Sequence, residues 1–356
     1  MSQVSSSPEI QLGPPAPAPL SIGPLTAAQL DEHRKPLFAH CYRMLGSLSE
    51  ADDAVQETLL RGWRGLASFD GRSSLRTWLY RIATHVCLDA LADRQRRDRP
   101  MQLQPVGDVQ AELTALPASR WLEPVPDRMA IPDTLDASQK LAQRQSLRLA
   151  FVAALQYLPA RQRAALLLSD VLDLSASEVA DALQLSVPAV NSALQRARST
   201  VASRGAALST PAPLSDEASQ RVDRYLQAFE RYDMDALMLL LHEDVTLSMP
   251  PYTLWLRGKE AVRSWMLGRG CGCRGSRLVR TAASGLPAFG QYRVSTTGPG
   301  YSAWSLIVLE LDAQDGSICA LNHFLDTASL FPRFGLPLTL PPDGDVPSRD
   351  FFSADR

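Results

Sequence analysis

The side chains best placed for recognition chemistry fall on one short helix-turn-helix pattern. Ser175-Ala-Ser-Glu178 reads as a capping box, in which the Ser hydroxyl takes the N3 amide and the Glu carboxylate reaches back to the N-cap amide. A helix is therefore predicted from Ala176 to about Leu183. After Gln184-Leu185, Ser186 caps a second helix, with Pro188 in the first turn, where its missing N–H costs nothing. At 100° per residue, Val190, Ala193, Leu194, Ala197 and Val201 share one face and can pack on Val179 and Leu183. The opposite face carries Pro188, Asn191, Ser192, Gln195 and Ser199. Asn and Gln near the start of a second helix can pair bidentately with adenine in a major groove, and the flanking Arg196 and Arg198 suit phosphates. A plain helix pair with Asn191 and Gln195 merely solvated satisfies the same spacing.

Two further patterns point outward. On the predicted helix Glu50 to Arg64, Ala51, Val55, Thr58 and Leu59 face one way, and Asp52, Asp53, Gln56 and Glu57 another. Leu60 and Trp63 fall on the acidic arc. An apolar anchor inside a charged rim is the anatomy of a protein interface, the alternative being a solvated acidic face with Trp63 folded onto a neighbour. On the helix after Phe69-Asp-Gly-Arg-Ser-Ser, Leu75, Trp78, Leu79, Ile82, Val86 and Ala90 make the expected core stripe, leaving Thr77, Tyr80, Arg81 and Thr84 on another surface. Exposed aromatic and Arg side chains there could stack on unpaired bases and hold a backbone; aromatics at helical spacing also serve as plain core.

These patterns need elements to carry them, and 356 residues with 45% apolar and 21% charged supply two or three domains. The net charge of −2 averages Arg-rich segments, such as Arg94, Arg96, Arg97 and Arg99, against an acidic C-terminus, so it does not exclude nucleic acid. Residues 1–25 are Pro-rich and read as a disordered tail. Residues 26–99 read as a helical domain interrupted at Gly46 and at Asp70-Gly71. Six prolines in 100–135 mark a linker. Helical pattern resumes over 136–204, and Thr210-Pro-Ala-Pro213 is a second boundary. Over 215–337 helices at 216–230, 233–242 and 259–267 are followed by strands at 245–249, 277–281, 288–293, 303–311 and 317–325, with Asp315-Gly316 turning between the last two. The fold class is thus multidomain: two all-α domains and a C-terminal α+β domain. Residues 338–356 read as a tail.

Five scattered cysteines, Cys41, Cys87, Cys271, Cys273 and Cys319, make a poor disulfide framework and suit a reducing cytoplasm. No apolar run approaches a membrane span, and no export signal is evident. Cys271-Gly-Cys273 offers two thiolates where structural zinc needs four ligands, so no metal or cofactor is expected, although the pair could sense redox change.

Ala51-Asp-Asp-Ala-Val-Gln-Glu57, then Phe69 and Arg76-Thr-Trp-Leu-Tyr-Arg-Ile-Ala83, a Pro-rich linker and Leu158-Pro-Ala-Arg-Gln-Arg163 before the helix-turn-helix closely resemble sigma-70-type factors of the extracytoplasmic-function group over about residues 26–204. The resemblance implies that core RNA polymerase and promoter DNA are the partners, with the β′ clamp helices gripped by Asp52, Asp53, Gln56, Glu57, Leu60 and Trp63 and the β flap contacted by the second domain. It implies that Phe69, Arg72, Ser73, Arg76, Thr77, Tyr80, Arg81, Thr84 and His85 hold the melted minus-10 strand, with a departure at His85, where the family commonly has Asn. It further implies that Ser186, Pro188, Asn191, Ser192, Gln195, Arg196, Arg198 and Ser199 read minus-35.

Reach constrains such a chain. Elements about twenty base pairs apart lie roughly 65–70 Å apart at about 3.4 Å per pair. A linker of about 35 residues can span up to roughly 115 Å, but as a free coil its ends average roughly 30–35 Å apart. Polymerase would have to hold it extended, with Trp121-Leu122 and Pro124 as an anchor.

Residues 215–337 resemble the SnoaL and nuclear transport factor 2 cone, and Phe331-Pro-Arg-Phe-Gly-Leu-Pro337 resembles the tail of sigma factors that carry this appendix. Such cones enclose a pocket, for which Tyr252, Trp255, Trp265, Trp304, Asn322 and His323 are candidates, with a small-molecule ligand as a further partner. No Asp or Glu can be placed beside His323, so catalysis is not expected. Three readings follow: a promoter-specificity factor regulated in cis by its own C-terminal domain, a helix-turn-helix regulator acting without polymerase, and a bifunctional chain with an enzymatic pocket.

Overall fold

The structure, a computed structural model, describes residues 27–92, 96–205 and 215–343. The expected tail at 1–25, the 344–356 part of the C-terminal tail, Arg94 and the Thr210-Pro213 boundary lie outside the described residues.

The first helical unit comprises α1 (Ala27–Asp31), α2 (Arg34–Leu45), α3 (Leu48–Gly65) and α4 (Leu75–Ala90). Gly46 ends α2 with φ 71°, a left-handed conformation that glycine adopts at no steric cost, and its N–H closes onto Tyr42. Ser74 caps α4 by accepting from the Thr77 amide at 3.0 Å. The next segment carries the short helices α5 (Pro100–Leu103) and α6 (Asp127–Ala130). The second unit comprises α7 (Ala137–Leu147), α8 (Leu149–Leu155), α9 (Ala160–Leu166), α10 (Ala176–Leu183) and α11 (Val187–Ser203). The bounds of α10 agree with the capping-box reading, because the Glu178 carboxylate accepts from the Ser175 amide at 2.9 Å and the Ser175 hydroxyl accepts from the Glu178 amide at 3.3 Å.

The C-terminal domain runs α12 (Asp216–Arg231), α13 (Met234–Leu240), β1 (Leu241–Ser248), β2 (Trp255–Arg257), α14 (Lys259–Leu267), β3 (Arg277–Ala283), β4 (Leu286–Val294), β5 (Tyr301–Leu311), β6 (Ile318–Phe324), α15 (Thr327–Phe334) and β7 (Thr339–Leu340). The strands form one sheet in the order β2-β1-β6-β5-β4-β3, with β7 paired to β5. Only β1 and β6 run parallel among the paired strands described. Three elements depart from expectation. β2, at three residues, is too short to display an alternation. α15 contains Pro332, which cannot donate to the carbonyl four residues back, yet the buried Leu330, Phe331 and Phe334 hold it helical. β7 lies in what reads as tail; its backbone pairs with Tyr301 and Ser302.

Strand alternation divides the sheet into two apolar faces. Leu247, Phe289, Ile307, Leu309 and Leu321 pack with α12, α13 and α14 in one core. Ala288, Leu306 and Val308 belong to a second core that continues through Phe331 and Phe334 of α15 into α2, α3, α4 and the helices α8 to α11. The second side of the sheet is covered by α15, which packs on β5 and joins this face to the core of the helical units. Among the described residues, no helix is long and apolar enough to cross a membrane.

Candidate functional site

The acidic helix is arranged as its wheel requires. Ala51, Ala54, Val55 and Thr58 of α3 are buried, while Leu60 and Trp63 stand 44% and 63% exposed. Asp53 and Gln56 are exposed, Asp52 and Glu57 half-buried. Glu57 pairs with Arg61 at 2.6 Å, an i,i+4 pair along the helix. Asp52 is taken by Arg333 of α15. One end of the acidic surface is thus engaged from within the chain, and the Leu60/Trp63 end is open.

On α4 the structure corrects the wheel. Tyr80 and Thr84, expected on the outer surface, are 4% and 0% exposed. The reason is α2, which packs on that arc: the His40 ring sits edge-on to Tyr80 at 5.4 Å, and its Nε2 lies 3.0 Å from the Thr84 hydroxyl, which itself donates to the Tyr80 carbonyl at 2.7 Å. Conversely Leu75, Trp78, Ile82 and Ala90 of the expected core stripe are only partly buried. Arg72, Ser73, Arg76 and Arg81 remain exposed, with Phe69, Thr77 and His85 half-buried. Phe69 lies against Trp78 at 5.1 Å, Arg72 is held by Asp70, and the His85 Nδ1 lies 2.9 Å from the Arg81 carbonyl. What α4 offers outside is a cationic edge flanked by partly covered aromatics.

The face of α11 expected to read bases is open along its length: Ser186, Pro188, Asn191, Ser192, Gln195, Arg196, Arg198 and Ser199 are all exposed, and Val190, Ala193, Leu194, Ala197 and Val201 are buried. Arg196 donates to the Ser192 hydroxyl at 2.7 Å. Arg198 makes two hydrogen bonds to the Asp170 carboxylate, at 2.9 and 2.6 Å, so a phosphate would have to compete with that carboxylate.

The pocket residues are not brought together. Strand alternation puts Asn322 opposite His323, where its carboxamide accepts from Ser248 at 3.0 Å and from Arg99 at 3.1 Å and donates to Glu310 at 3.0 Å. Tyr252 bridges Ala115 and the Trp255 indole donates to the Gln104 carbonyl at 2.9 Å, so both meet the Pro-rich segment. Trp265 is buried in the α12–α14 core, and Trp304 is capped by the Arg293 guanidinium at 3.4 Å. His323 lies in a polar row in which Ser305 donates to Gln291 at 2.7 Å and sits 3.3 Å from the His323 Nδ1. Its Nε2 has no hydrogen-bond partner among the described residues.

Burial, with the charge of Arg293 adding to it, pushes His323 down to about 4, so the ring is neutral near neutrality. The unfolded chain binds the extra proton between the two values, so stability present above pH 6.5 is lost as pH falls towards 4. Between pH 7 and pH 5 this histidine alone is expected to cost on the order of 2 kcal/mol. A urea titration at both pH values should register the loss, and His323→Asn should reduce it; an unchanged pH difference in the variant would refute the assignment.

The Pro-rich segment is the main surprise. Trp121 and Leu122, expected to anchor along polymerase, are buried inside the chain itself. The segment is held extended by the C-terminal domain: Gly107 donates to Trp255, Thr253 to Thr114 and Leu116 to Pro251, each at 2.9 Å. Further along, Ser284 donates to the Val125 carbonyl at 2.7 Å, and the Gly285 amide to Asp127 at 2.8 Å. The two helical units also touch directly. Arg43 of α2, fully buried, donates to the Ser146 hydroxyl at 2.7 Å, and Arg163 of α9, also buried, donates to the Met44 carbonyl and to Gln156. Burial brings both guanidinium groups down to about 10. The contacts of Arg43, Arg99, Arg163 and Arg333 escaped the sequence reading because the groups they bind outside their own segment lie about a hundred residues or more away; Arg99, Arg163 and Arg333 stood in segments already singled out, but nothing there named their partners.

Two sigma-type helical units and a cone joined by an internal strap define the class of chain. Residues 30–97 match Sigma-70 region 2, residues 148–201 match Sigma-70 region 4 and residues 222–321 match the SnoaL-like domain. The chain is 45% identical over 320 residues to the ECF RNA polymerase sigma factor SigG of Mycobacterium tuberculosis (strain ATCC 25618 / H37Rv), covering 88% of this chain and 84% of SigG. It is 27% identical over 314 residues to SigJ of the same strain, covering 83% of this chain and 90% of SigJ. The crystal structure of Mycobacterium tuberculosis SigJ matches the fold with a TM-score of 0.54 at 26% identity, over 88% of this chain and 98% of SigJ. The chain belongs to the ECF RNA polymerase sigma factors. These named relatives are sigma factors.

Proposed function

We propose that this chain binds core RNA polymerase and directs promoter recognition and opening in the cytoplasm, and that its C-terminal domain restrains it by holding the two DNA-contacting units in one closed body. Asp53, Gln56, Glu57, Leu60 and Trp63 dock on the β′ clamp helices, with Asp52 joining when Arg333 lets go. Arg72, Ser73, Arg76 and Arg81, with Phe69, Thr77 and His85, take the minus-10 strand; Tyr80 and Thr84 support α4 from inside. Asn191 and Gln195 read minus-35 bases, and the second unit meets the β flap.

The observation that carries the restraint is the contact of α4 with α10. Helix lengths at about 1.5 Å per residue, a crossing of about 10 Å and the short turn before α11 put Arg76 and Asn191 at most roughly 60 Å apart. The folded path is shorter still, and two promoter elements need roughly 65–70 Å. The closed chain cannot engage both elements at once. Opening is assisted by Arg43 and Arg163, because guanidinium groups buried against neutral acceptors regain hydration when the units part. Among the described residues no carboxylate hydrogen-bonds to His323, and burial holds its ring neutral near neutrality, which favours a binding or structural cone over a catalytic one.

The test is run-off transcription with core polymerase, full chain against residues 1–205, with start sites mapped; absence of specific initiation by both would end the proposal. Asn191→Ala is expected to cost about 1–3 kcal/mol of discrimination at one minus-35 position. Competition between promoter variants checks it, and an unaltered preference would move base reading elsewhere on α11.

A further inference from the structure

Charge is segregated along the C-terminal domain. Residues 261–309 hold six arginines and no Lys, Asp or Glu, where 38 acidic residues in 356 would place about five in a stretch of that length. Carboxylates of α12 and α13 take three of the six: Asp235 pairs with Arg263 at 2.6 Å, Glu230 with Arg277 at 3.9 Å, and Asp223 with Arg280. Arg269, Arg274 and Arg293 form no ion pair among the described residues. Each lies instead over an aromatic ring: Arg269 over Trp265 at 5.3 Å, Arg274 over Tyr232 at 4.6 Å and Arg293 over Trp304 at 3.4 Å. The three share one end of the domain. Arg269 and Arg274 stand in the turn between α14 and β3, and Arg293, near the end of β4, donates to the Cys273 sulfur of that turn at 3.1 Å. Arg269 and Arg274 are exposed and Arg293 half-buried. Glu230 and Asp233, which flank Tyr232 in the chain, accept from the Leu278 and Ala236 amides. The tail beyond β7, residues 344–356, carries three Asp and two Arg, which does not offset three arginines.

We infer that this end of the C-terminal domain is a contact surface for the phosphate backbone of duplex DNA, additional to α4 and α11. A guanidinium stacked on a ring is pre-oriented, and its planar fork matches phosphate oxygens. The forks are largely unused: Arg274 gives no hydrogen bond to the described residues, Arg269 donates through one nitrogen to the Val109 and Ala111 carbonyls, and Arg293 through one nitrogen to Cys273. The stacking also selects the form of nucleic acid. Each ring already holds a guanidinium, Trp265 is buried and Tyr232 half-buried, so unpaired bases find poor platforms there. Duplex phosphates need only the exposed charge, and at one charge per about 1.7 Å of axis a duplex sets several of them against three neighbouring arginines. The chain as a whole carries a net charge of −2, so attraction to DNA at this end depends on the local segregation. Backbone contacts read no bases, and the surface therefore adds DNA affinity irrespective of sequence. This holds whether or not the C-terminal domain restrains core binding.

The experiment is fluorescence anisotropy of a labelled duplex without promoter elements, titrated with the full chain in the absence of polymerase, so that neither promoter reading nor core binding enters. The α11 face is weakened by Arg196→Glu, and duplex binding is expected to persist in that chain. In the same chain Arg274→Ala should lower affinity about eightfold at about 0.1 M salt and reduce the slope of log K against log salt by about 0.9, the value of one phosphate contact. Arg269→Ala should act alike and serves as the second probe should Arg274→Ala fail to fold. Arg257→Ala removes the same charge from β2, at the opposite end of the sheet order from β3, and should change neither quantity. A dT strand of equal length should bind more weakly than the duplex, and polyglutamate should compete poorly. Duplex binding abolished by Arg196→Glu alone, or left unchanged by both Arg269→Ala and Arg274→Ala, overturns the surface. An equal fall with Arg257→Ala, tighter binding of the dT strand or equal competition by polyglutamate does the same.

Discussion

Removing residues 206–356 is expected to raise affinity for core polymerase about 10–100-fold, the amount by which a closed state favoured by about 1.4–2.8 kcal/mol suppresses binding through its open minority. The restraint comes from several parts. The outer face of the sheet shares its apolar core with both helical units. The Pro-rich segment is hydrogen-bonded to the edge between β1 and β2 and to the β3–β4 turn. Arg333 occupies Asp52, and Arg128 donates to the Arg333 carbonyl, tying the strap to the same point. Arg333→Ala in the full chain should give only a few-fold gain, because a pair with partners 29% and 35% exposed contributes about 1 kcal/mol or less. Phe334→Asp, which places a charge in the shared core, should approach the effect of the deletion while keeping the chain whole. Fluorescence anisotropy with labelled chain and core polymerase measures all three. Affinity that stays level or falls in both the deletion and Phe334→Asp would show that the C-terminal domain does not restrain core binding.

Trp63→Ala is expected to lower core affinity by roughly 30- to 1000-fold, the 2–4 kcal/mol typical of a central aromatic anchor in a polar rim. The same substitution should leave the thermal midpoint nearly unmoved, since an indole so exposed buries little on folding. That contrast separates an interface anchor from a structural tryptophan. Leu60→Ala should follow with a smaller loss, and Asp53→Arg should slow association and make it less sensitive to salt, because it removes part of the charge that steers encounter. If Trp63→Ala binds core as tightly as the parent chain, the anchor is elsewhere and the exposed indole needs another account.

How much could be read without the fold differs between segments for identifiable reasons. The bounds of α10 and the start of α11 were legible because caps are local: Ser175, Glu178 and Ser186 satisfy amides within three residues. The exposure of Leu60 and Trp63 was legible because one dominant apolar arc orders the α3 wheel. On α4 the apolar residues spread over more than half of the wheel, with Arg76 and Tyr80 together at its margin, so periodicity does not say how far the buried arc extends towards α2, and Tyr80 and Thr84 were placed on the wrong side. The candidate pocket failed for a similar reason. Asn322 and His323 are neighbours in sequence and therefore opposites across a sheet, and deciding which faces the cone requires the register of β6 against β5 and β1.

The sequence alone determined the parts: the capped helix α11 with its exposed polar face, the acidic face with Leu60 and Trp63 standing out of it, the α+β character of the last domain and the resemblance that joins them, since each rests on spacing within one helix or strand. Only the tertiary structure decided how the parts are held. Six prolines specify a segment that is neither long helix nor central strand, and they leave open what keeps it extended. Here the C-terminal domain does so, through backbone bonds between residues some 135–160 positions apart, and α15 joins the outer face of the sheet to the core of the helical units. Contacts at that separation depend on backbone groups and apolar faces that any sequence of similar pattern would supply, so the assembly of the domains becomes visible only once the chain is folded.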